Sequence, residues 1–300
     1  MRRLPVVCVL SVASALSVAL VSTPAAQVRT AYPEKRGFTL SDFPRSIKLA
    51  ENVYGYEEIR PPGFTTVSLF VVGSDGVLVA DGQGSAEATK KLLDEIAKVT
   101  TKPIKWYIVG SDHGDHTAGN SVLPKGITYV VTPFSKAQMK LDVPAMDGDK
   151  QVINVGGIEA QALFLGRAHT GGDLVVYLPK QKILFMSEVF LNRVFPAMRS
   201  AYPAEWVGVI DKALKLDVDR FVPGHGFIEE PKASREELIE YQKAMRAVIA
   251  EVNRLHKLGL SADDAAKQAN WGQYKEWFLV EQQGPIAVRK IYEEIEGKLK

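Results

Sequence analysis

Four of the chain's five histidines lie in short loops rich in glycine and acids, each directly after a stretch that reads as a β-strand. His113 and His116 flank Asp115 in Gly110-Ser-Asp-His-Gly-Asp-His116, His169 lies in Ala168-His-Thr-Gly-Gly-Asp173, and His225 lies in Pro223-Gly-His-Gly226. Strand-end loops of a layered fold converge on one edge, so the fold must be one that can bring these distant loops together. Imidazole and carboxylate are ligands for zinc or iron, and glycine lets the backbone bend close to an ion. Any one such histidine reads as a surface residue or a hydrogen-bonded core residue, and His256, in a helical Leu-His-Lys stretch, is read that way. The four together read as a metal site.

The patterning supports a layered fold. Val53 to Ile59, Thr65 to Val72 and Gly76 to Ala80 read as strands of a meander. From Ser85, Leu92, Leu93, Ile96 and Val99 recur at helical spacing with Lys90, Lys91, Asp94 and Glu95 facing outward, until Pro103 stops the pattern. Strands follow at Ile104 to Val109, Thr128 to Val131, Val152 to Val155, Ile158 to Leu165, Leu174 to Leu178 and Ile183 to Met186, then a helix from Ala204 to Leu216 and a strand at Arg220 to Val222. Clustered strands with helices between them suit sheets packed face to face with helices outside better than a regular βαβ alternation. From Pro231 onward the pattern is helical, with Leu238, Tyr241, Met245, Val248 and Ile249 on one stripe, and reads as a helical cap.

At 300 residues, 46% hydrophobic and 24% charged, the chain can bury a sizeable core. Arg2 and Arg3 precede an uncharged apolar run from Leu4 to Val21, followed by Thr23, Ala25 and Ala26, so residues 1–26 read as a secretory signal peptide. A transmembrane anchor or a buried helix is the alternative, disfavoured by Pro5 and the serines within the run. Cleavage there removes the only cysteine, Cys8, leaving metal binding to His, Asp and Glu. It also removes two arginines and no acid, so the remaining formal charge is zero, which argues against an electrostatic nucleic-acid binder. The expected organisation is a signal peptide (1–26), an N-terminal lead (27–47), a catalytic domain (48–230) and a helical cap (231–300). The location is expected to be the periplasm or outside the cell, with no membrane contact after cleavage and no expectation about oligomeric state.

Taken together, these motifs resemble the metallo-β-lactamase superfamily, whose signature is His-x-His-x-Asp-His at a strand end, a later His-Thr-x-Gly type loop, an acid after a strand and a late Gly-His. The matches are His113, Asp115, His116, His169, Glu188 and His225, and Asp81 in Val79-Ala-Asp-Gly82 looks like the family's early Asp-x-Gly element. The resemblance covers about residues 48 to 230. It implies an α+β fold, a four-layer αββα sandwich with a metal site along one edge, here with a C-terminal helical extension. It also implies His113, Asp115, His116, His169, Glu188 and His225 as ligands. Two positions depart from the pattern: Ser111 stands where the first histidine belongs, and Glu188 where Asp or Cys is usual. Ser111 is therefore a weak or lost ligand position. The expected cofactor is zinc, one tight ion and a second weaker one, with iron or manganese left open.

The chemistry expected of such a site is hydrolysis by a metal-bound hydroxide, with Asp115 binding metal and orienting the nucleophile. Asp81 and Asp173 are candidates to fix histidine tautomers from behind, although a turn Asp bonding its own backbone is an equal alternative. Phe64, Phe190, Phe195 and Met198 are candidates to wall an apolar substrate pocket, which core packing explains nearly as well. Arg193 and Arg199 are candidates to grip a substrate carboxylate. The expected substrate is a small molecule with an acyl C–N, C–O or C–S bond, a β-lactam or lactone before others. The competing class is a non-catalytic metal- or ligand-binding periplasmic protein with a decayed site, in one version accessory to a quinoprotein oxidation system.

Overall fold

The computed structural model describes residues 28–299, so the expected signal peptide lies outside the described residues. Two sheets are stacked. The first holds β1 (Arg45–Ala50), β2 (Val53–Arg60), β3 (Phe64–Val72), β4 (Val77–Ala80), β5 (Ile104–Ile108) and β6 (Thr128–Val130) in sequential order. The second holds β7 (Lys150–Val155), β8 (Ile158–Leu163), β9 (Val175–Leu178), β10 (Ile183–Phe185) and β11 (Arg220–Val222), also side by side in chain order.

Alternation along the strands builds three cores. Val67, Leu69 and Val71 of β3 face the second sheet, where Ile153, Ala160, Ala162, Val176 and Phe185 meet them. Phe70 and Val72 point the other way, beneath α1 (Ala86–Val99). Helix α1 starts at Ser85, whose hydroxyl accepts the Ala88 N–H at 3.1 Å, and it buries Leu92 and Ile96. The short helices α2 (Gly114–Thr117) and α3 (Pro133–Met139) follow β5 and β6. The outer face of the second sheet is covered by α4 (Pro203–Leu214), α5 (Pro231–Lys257), α6 (Ala262–Gln268) and α7 (Val280–Ile295), which share a core with the segment from Val189 to Met198. The layers therefore run helix, sheet, sheet, helix. Among the described residues, no helix is long and apolar enough to cross a membrane.

Two differences from the sequence reading concern edges. The end of the polar lead is the edge strand β1, whose Arg45 and Lys48 interrupt its apolar residues, as charges do on a protected sheet edge. Helix α3 has seven residues, too few to show a helical period.

One feature of the topology decides where function sits. β4 and β5 run parallel, as do β10 and β11, so all four strands deliver their C-terminal ends to one edge of the sandwich. A backbone hydrogen bond from Val67 N to the Gly224 carbonyl, 2.8 Å, stitches the two sheets together there.

Candidate metal centre

Each of those four strand ends supplies part of one cluster: Asp81 after β4, the Gly110–His116 loop after β5, Glu188 in the turn after β10, and His225 after β11. The loop between β8 and β9 adds His169. The backbones must approach closely for this. A Cβ on Gly224 would lie 2.4 Å from the Ser187 carbonyl carbon, and Gly226 (φ +81°) would place one 2.0 Å from the Asn192 oxygen. Glycine is the residue that tolerates both.

The donors form two groups that share Glu188. In one, Asp115, His116, Glu188 and His225 bring their ligand atoms within 4.8 Å of one another, and in the other His113, His169 and Glu188 do the same. Glu188 is divided between them: Oε2 lies 3.1 Å from His113 Nδ1 and 3.2 Å from His169 Nε2, while Oε1 lies 3.3 Å from His225 Nε2. Glu188, His116, His169 and His225 are all buried.

Ring orientations are set from behind. His225 Nδ1 donates to the Thr65 carbonyl at 2.8 Å, and His116 Nδ1 faces Asp81 Oδ2 at 3.0 Å. With the Thr65 carbonyl and the Asp81 carboxylate placed against the two Nδ1 positions, the two Nε2 atoms face each other at 3.3 Å. Neutral imidazoles in these tautomers would point lone pair at lone pair, so the gap calls for a cation, either a proton or a metal ion. Asp81 is the anchor for this arrangement. Its Oδ1 accepts from Gly110 N (2.7 Å) and Ser111 N (3.3 Å), and its Oδ2 accepts from the Ser187 hydroxyl.

The titration of the cluster reflects its packing of opposite charges. Burial lowers the proton affinity of His225, but hydrogen bonds and charge from Asp115 and Glu188 outweigh it and push its pKa up to about 9. His113 is likewise pushed up to about 9, burial being overcome by Glu188, Asp112 and Asp115. Burial and the charge of Glu188 favour protonation of Asp115, yet the His225 hydrogen bond and the nearby imidazoles hold it well below the usual carboxylate range. Glu188 is depressed in the same way against its burial, mainly by His169, His113 and His225. Without metal, His113, His116 and His225 hold protons more tightly than a free imidazole, and an ion entering the cluster must displace them.

The fit to a metal is therefore one of donor chemistry: four imidazoles and two carboxylates held ionised, with no thiolate. All six residues taken from the sequence as ligands come together. The others divide. Asp81 lies 3.0 Å behind His116 Nδ1, while Asp173 accepts from the Thr170 N–H and hydroxyl, closing its own loop instead of orienting a histidine, and His169 Nδ1 has no hydrogen-bond partner among the described residues. Burial raises the Asp173 pKa to about 6. Ser111 is not a free donor to a metal: its hydroxyl donates to Glu188 Oε2 at 2.5 Å.

A cleft of about 300 Å³ opens over the cluster, lined by Phe64, Leu191, Val194, Ala197 and Leu279 together with Arg60 and Arg199. Of the four predicted pocket residues only Phe64 lines it. Phe190, Phe195 and Met198 are core instead, because the C-terminal helices cover them: Phe190 meets Tyr241 and Phe195 meets Trp271. Arg193 is also excluded from substrate binding, since it is tied to Glu237 by two hydrogen bonds. Arg199 is exposed and has no acidic partner among the described residues. Sequence reasoning missed the role of Arg60, which donates to Asp115 Oδ2 at 2.7 Å, because the two are 55 residues apart and only the fold joins them.

Comparison with known proteins agrees with this geometry. The linear primary-alkylsulfatase of Pseudomonas sp. is 22% identical over 285 residues, which cover 73% of this chain and 53% of that protein. A metallo-beta-lactamase type 2 from Elizabethkingia meningoseptica is 25% identical over 217 residues, 67% of this chain and 87% of that enzyme. The chain spans about half the length of the first curated relatives it matches. A solved structure of a stereoselective inverting sec-alkylsulfatase from Pseudomonas sp. superimposes with a TM-score of 0.70 at 14% identity, over 84% of this chain and 50% of that one. The family model of the metallo-beta-lactamase superfamily matches residues 60–225, from the Arg60 that braces Asp115 to His225 itself, and the chain belongs to that superfamily.

Proposed function

We propose that the protein is a metal-dependent hydrolase of small anionic substrates, with zinc as its ion, working outside the cytoplasm. The observation that carries the metal is the pair of facing Nε2 atoms on His116 and His225, flanked by the ionised Asp115 and Glu188. Zinc suits a donor set of imidazoles and carboxylates. Bound there, it would lower the pKa of a coordinated water to about 7 and polarise the bond under attack.

The chain's own residues supply the rest. Glu188 and Asp115 would neutralise the charge of bound cations, Arg60 keeps Asp115 in place, and Asp81 and the Thr65 carbonyl face the two Nδ1 atoms so that each ring offers Nε2. Phe64, Leu191, Val194, Ala197 and Leu279 give the cleft an apolar wall, while Arg199 offers an unneutralised cation beside it. A substrate with an apolar body and one anionic group suits both. β-Lactams carry such a carboxylate and simple lactones do not, so β-lactams come first among acyl substrates. Alkyl sulfate esters present the same combination of charge and apolar chain. The export reading rests on the apolar run behind Arg2 and Arg3.

The test is turnover by zinc-loaded protein of a chromogenic cephalosporin, an alkyl sulfate and an uncharged lactone. Hydrolysis of an anionic substrate in preference to the lactone is expected. In Arg199→Ala, KM for that substrate should rise roughly 2–5-fold with kcat nearly unchanged, the size expected for one exposed charge-assisted contact. Preference for the lactone with no response to Arg199→Ala would remove the anionic reading. Tight zinc binding with no turnover of any ester, lactam or sulfate would favour a non-catalytic binder.

A further inference from the structure

Ser111 is fully buried at the end of the loop after β5, where a larger side chain would enter the metal cluster. It is held there by its own N–H, 3.3 Å from Asp81 Oδ1, and its hydroxyl donates to Glu188 Oε2 at 2.5 Å. Glu188 in turn is the only residue that belongs to both donor groups among the described residues. Its Oε2 therefore meets Ser111, His113 and His169 at once, while Oε1 serves His225 on the other side.

We propose that Ser111 and Glu188 are a matched pair, in which the small hydroxyl leaves room for the long carboxylate and aims its Oε2 as the third donor of the His113–His169 group. Ser111 is then a positioning residue and not a degraded ligand. The inference rests on the reading of the cluster as a metal centre, and it makes the two changes interdependent. An aspartate at 188 would withdraw the carboxylate by about 1.5 Å, one C–C bond, and leave His113 and His169 without an anion. A histidine at 111 would run into Glu188 Oε2, because the serine oxygen already lies at hydrogen-bond distance from it. Only the two substitutions together exchange one donor arrangement for another, an imidazole at 111 and a shorter carboxylate at 188.

The experiment measures metal per chain by elemental analysis, and the visible spectrum of the cobalt(II)-loaded protein, for the wild type, Ser111→Ala, Ser111→His, Glu188→Asp and the double variant Ser111→His/Glu188→Asp. Thermal melts check that each is folded. The wild type should hold two ions. Ser111→Ala should bind its weaker ion about 10–100-fold less tightly, as for loss of a group that orients a ligand, with a changed cobalt spectrum. Ser111→His and Glu188→Asp should each hold less than two, and the double variant should recover the second ion. The pairing is refuted if Ser111→His alone raises occupancy, if the two substitutions act additively, or if Ser111→Ala leaves affinity and spectrum unchanged. Should the double variant not fold, Ser111→Ala decides alone, since it removes the hydrogen bond and adds no bulk. A wild type that binds no metal would sink the metal-centre reading itself; a wild type with two ions and an indifferent Ser111 would sink only the pairing.

Discussion

Replacing Glu188 with alanine is expected to strip both ions from the protein and to lower hydrolysis by about 10²–10⁴-fold, the range for removing one partner from a buried set of charges worth roughly 3–5 kcal/mol. Among the described residues no other side chain contributes an oxygen to each donor group, so no other single loss there should affect both. Elemental analysis of the dialysed variant reads the metal, and initial rates with the best anionic substrate read the activity. Glu188→Gln separates charge from shape: it keeps the Ser111 hydroxyl within reach of an oxygen but offers a neutral amide to His113, His169 and His225. It should behave nearly as badly as alanine. Retention of two ions by either variant would show that Glu188 is not the shared ligand.

Asp81 is the second position where a single change should act strongly, though it is placed behind the cluster. Its carboxylate takes two backbone N–H groups and one hydroxyl and faces His116, all with no exposure to solvent. Asp81→Ala would leave several buried donors without acceptors at about 1–3 kcal/mol each, so a loss of roughly 3–5 kcal/mol in chemical denaturation is expected. Asp81→Asn keeps one oxygen for Gly110 and Ser111 but turns an N–H₂ toward Ser187 and His116. Its stability loss should be smaller, while zinc affinity should still fall about 10–100-fold because His116 loses the acceptor that fixes its ring. Equal zinc affinity in Asp81→Asn and wild type would mean that the carboxylate supports the fold alone.

Much of this architecture was legible because it depends on local pattern. The largely apolar run of β3, buried on both faces, the stripe of α1 and the run at β11 are set by what each element buries, and that can be read from local pattern. The clustered histidines were legible for a different reason, since glycine and acid beside a strand-end histidine serve the chemistry more than the packing. What escaped notice depends on distant chain segments. Phe190, Phe195 and Met198 look like cleft residues until α5 and the stretch leading into α7 are laid over them. Asp173 has a histidine four residues before it, and only the turn geometry shows that Thr170 claims its carboxylate. Ser111 reads as a missing ligand because the hydrogen bond that gives it a role spans 77 residues. Arg60 offers no signal for its contact with Asp115, and the Thr65 carbonyl that orients His225 belongs to the backbone and leaves no trace in side-chain pattern.

Everything about the site depends on a cation standing where His116 and His225 direct their Nε2 atoms. Calorimetric titration of zinc into chelator-treated protein at pH 7.5, repeated in buffers of different ionisation enthalpy, reads that directly as stoichiometry and proton release. His113 and His225 hold protons up to about 9 when no ion is present, and ligands must lose them to bind, so zinc should release protons and bind more tightly as pH rises toward 9. The expected result is two ions per folded chain with protons expelled into the buffer. Folded protein that takes up no zinc, iron or manganese would contradict it.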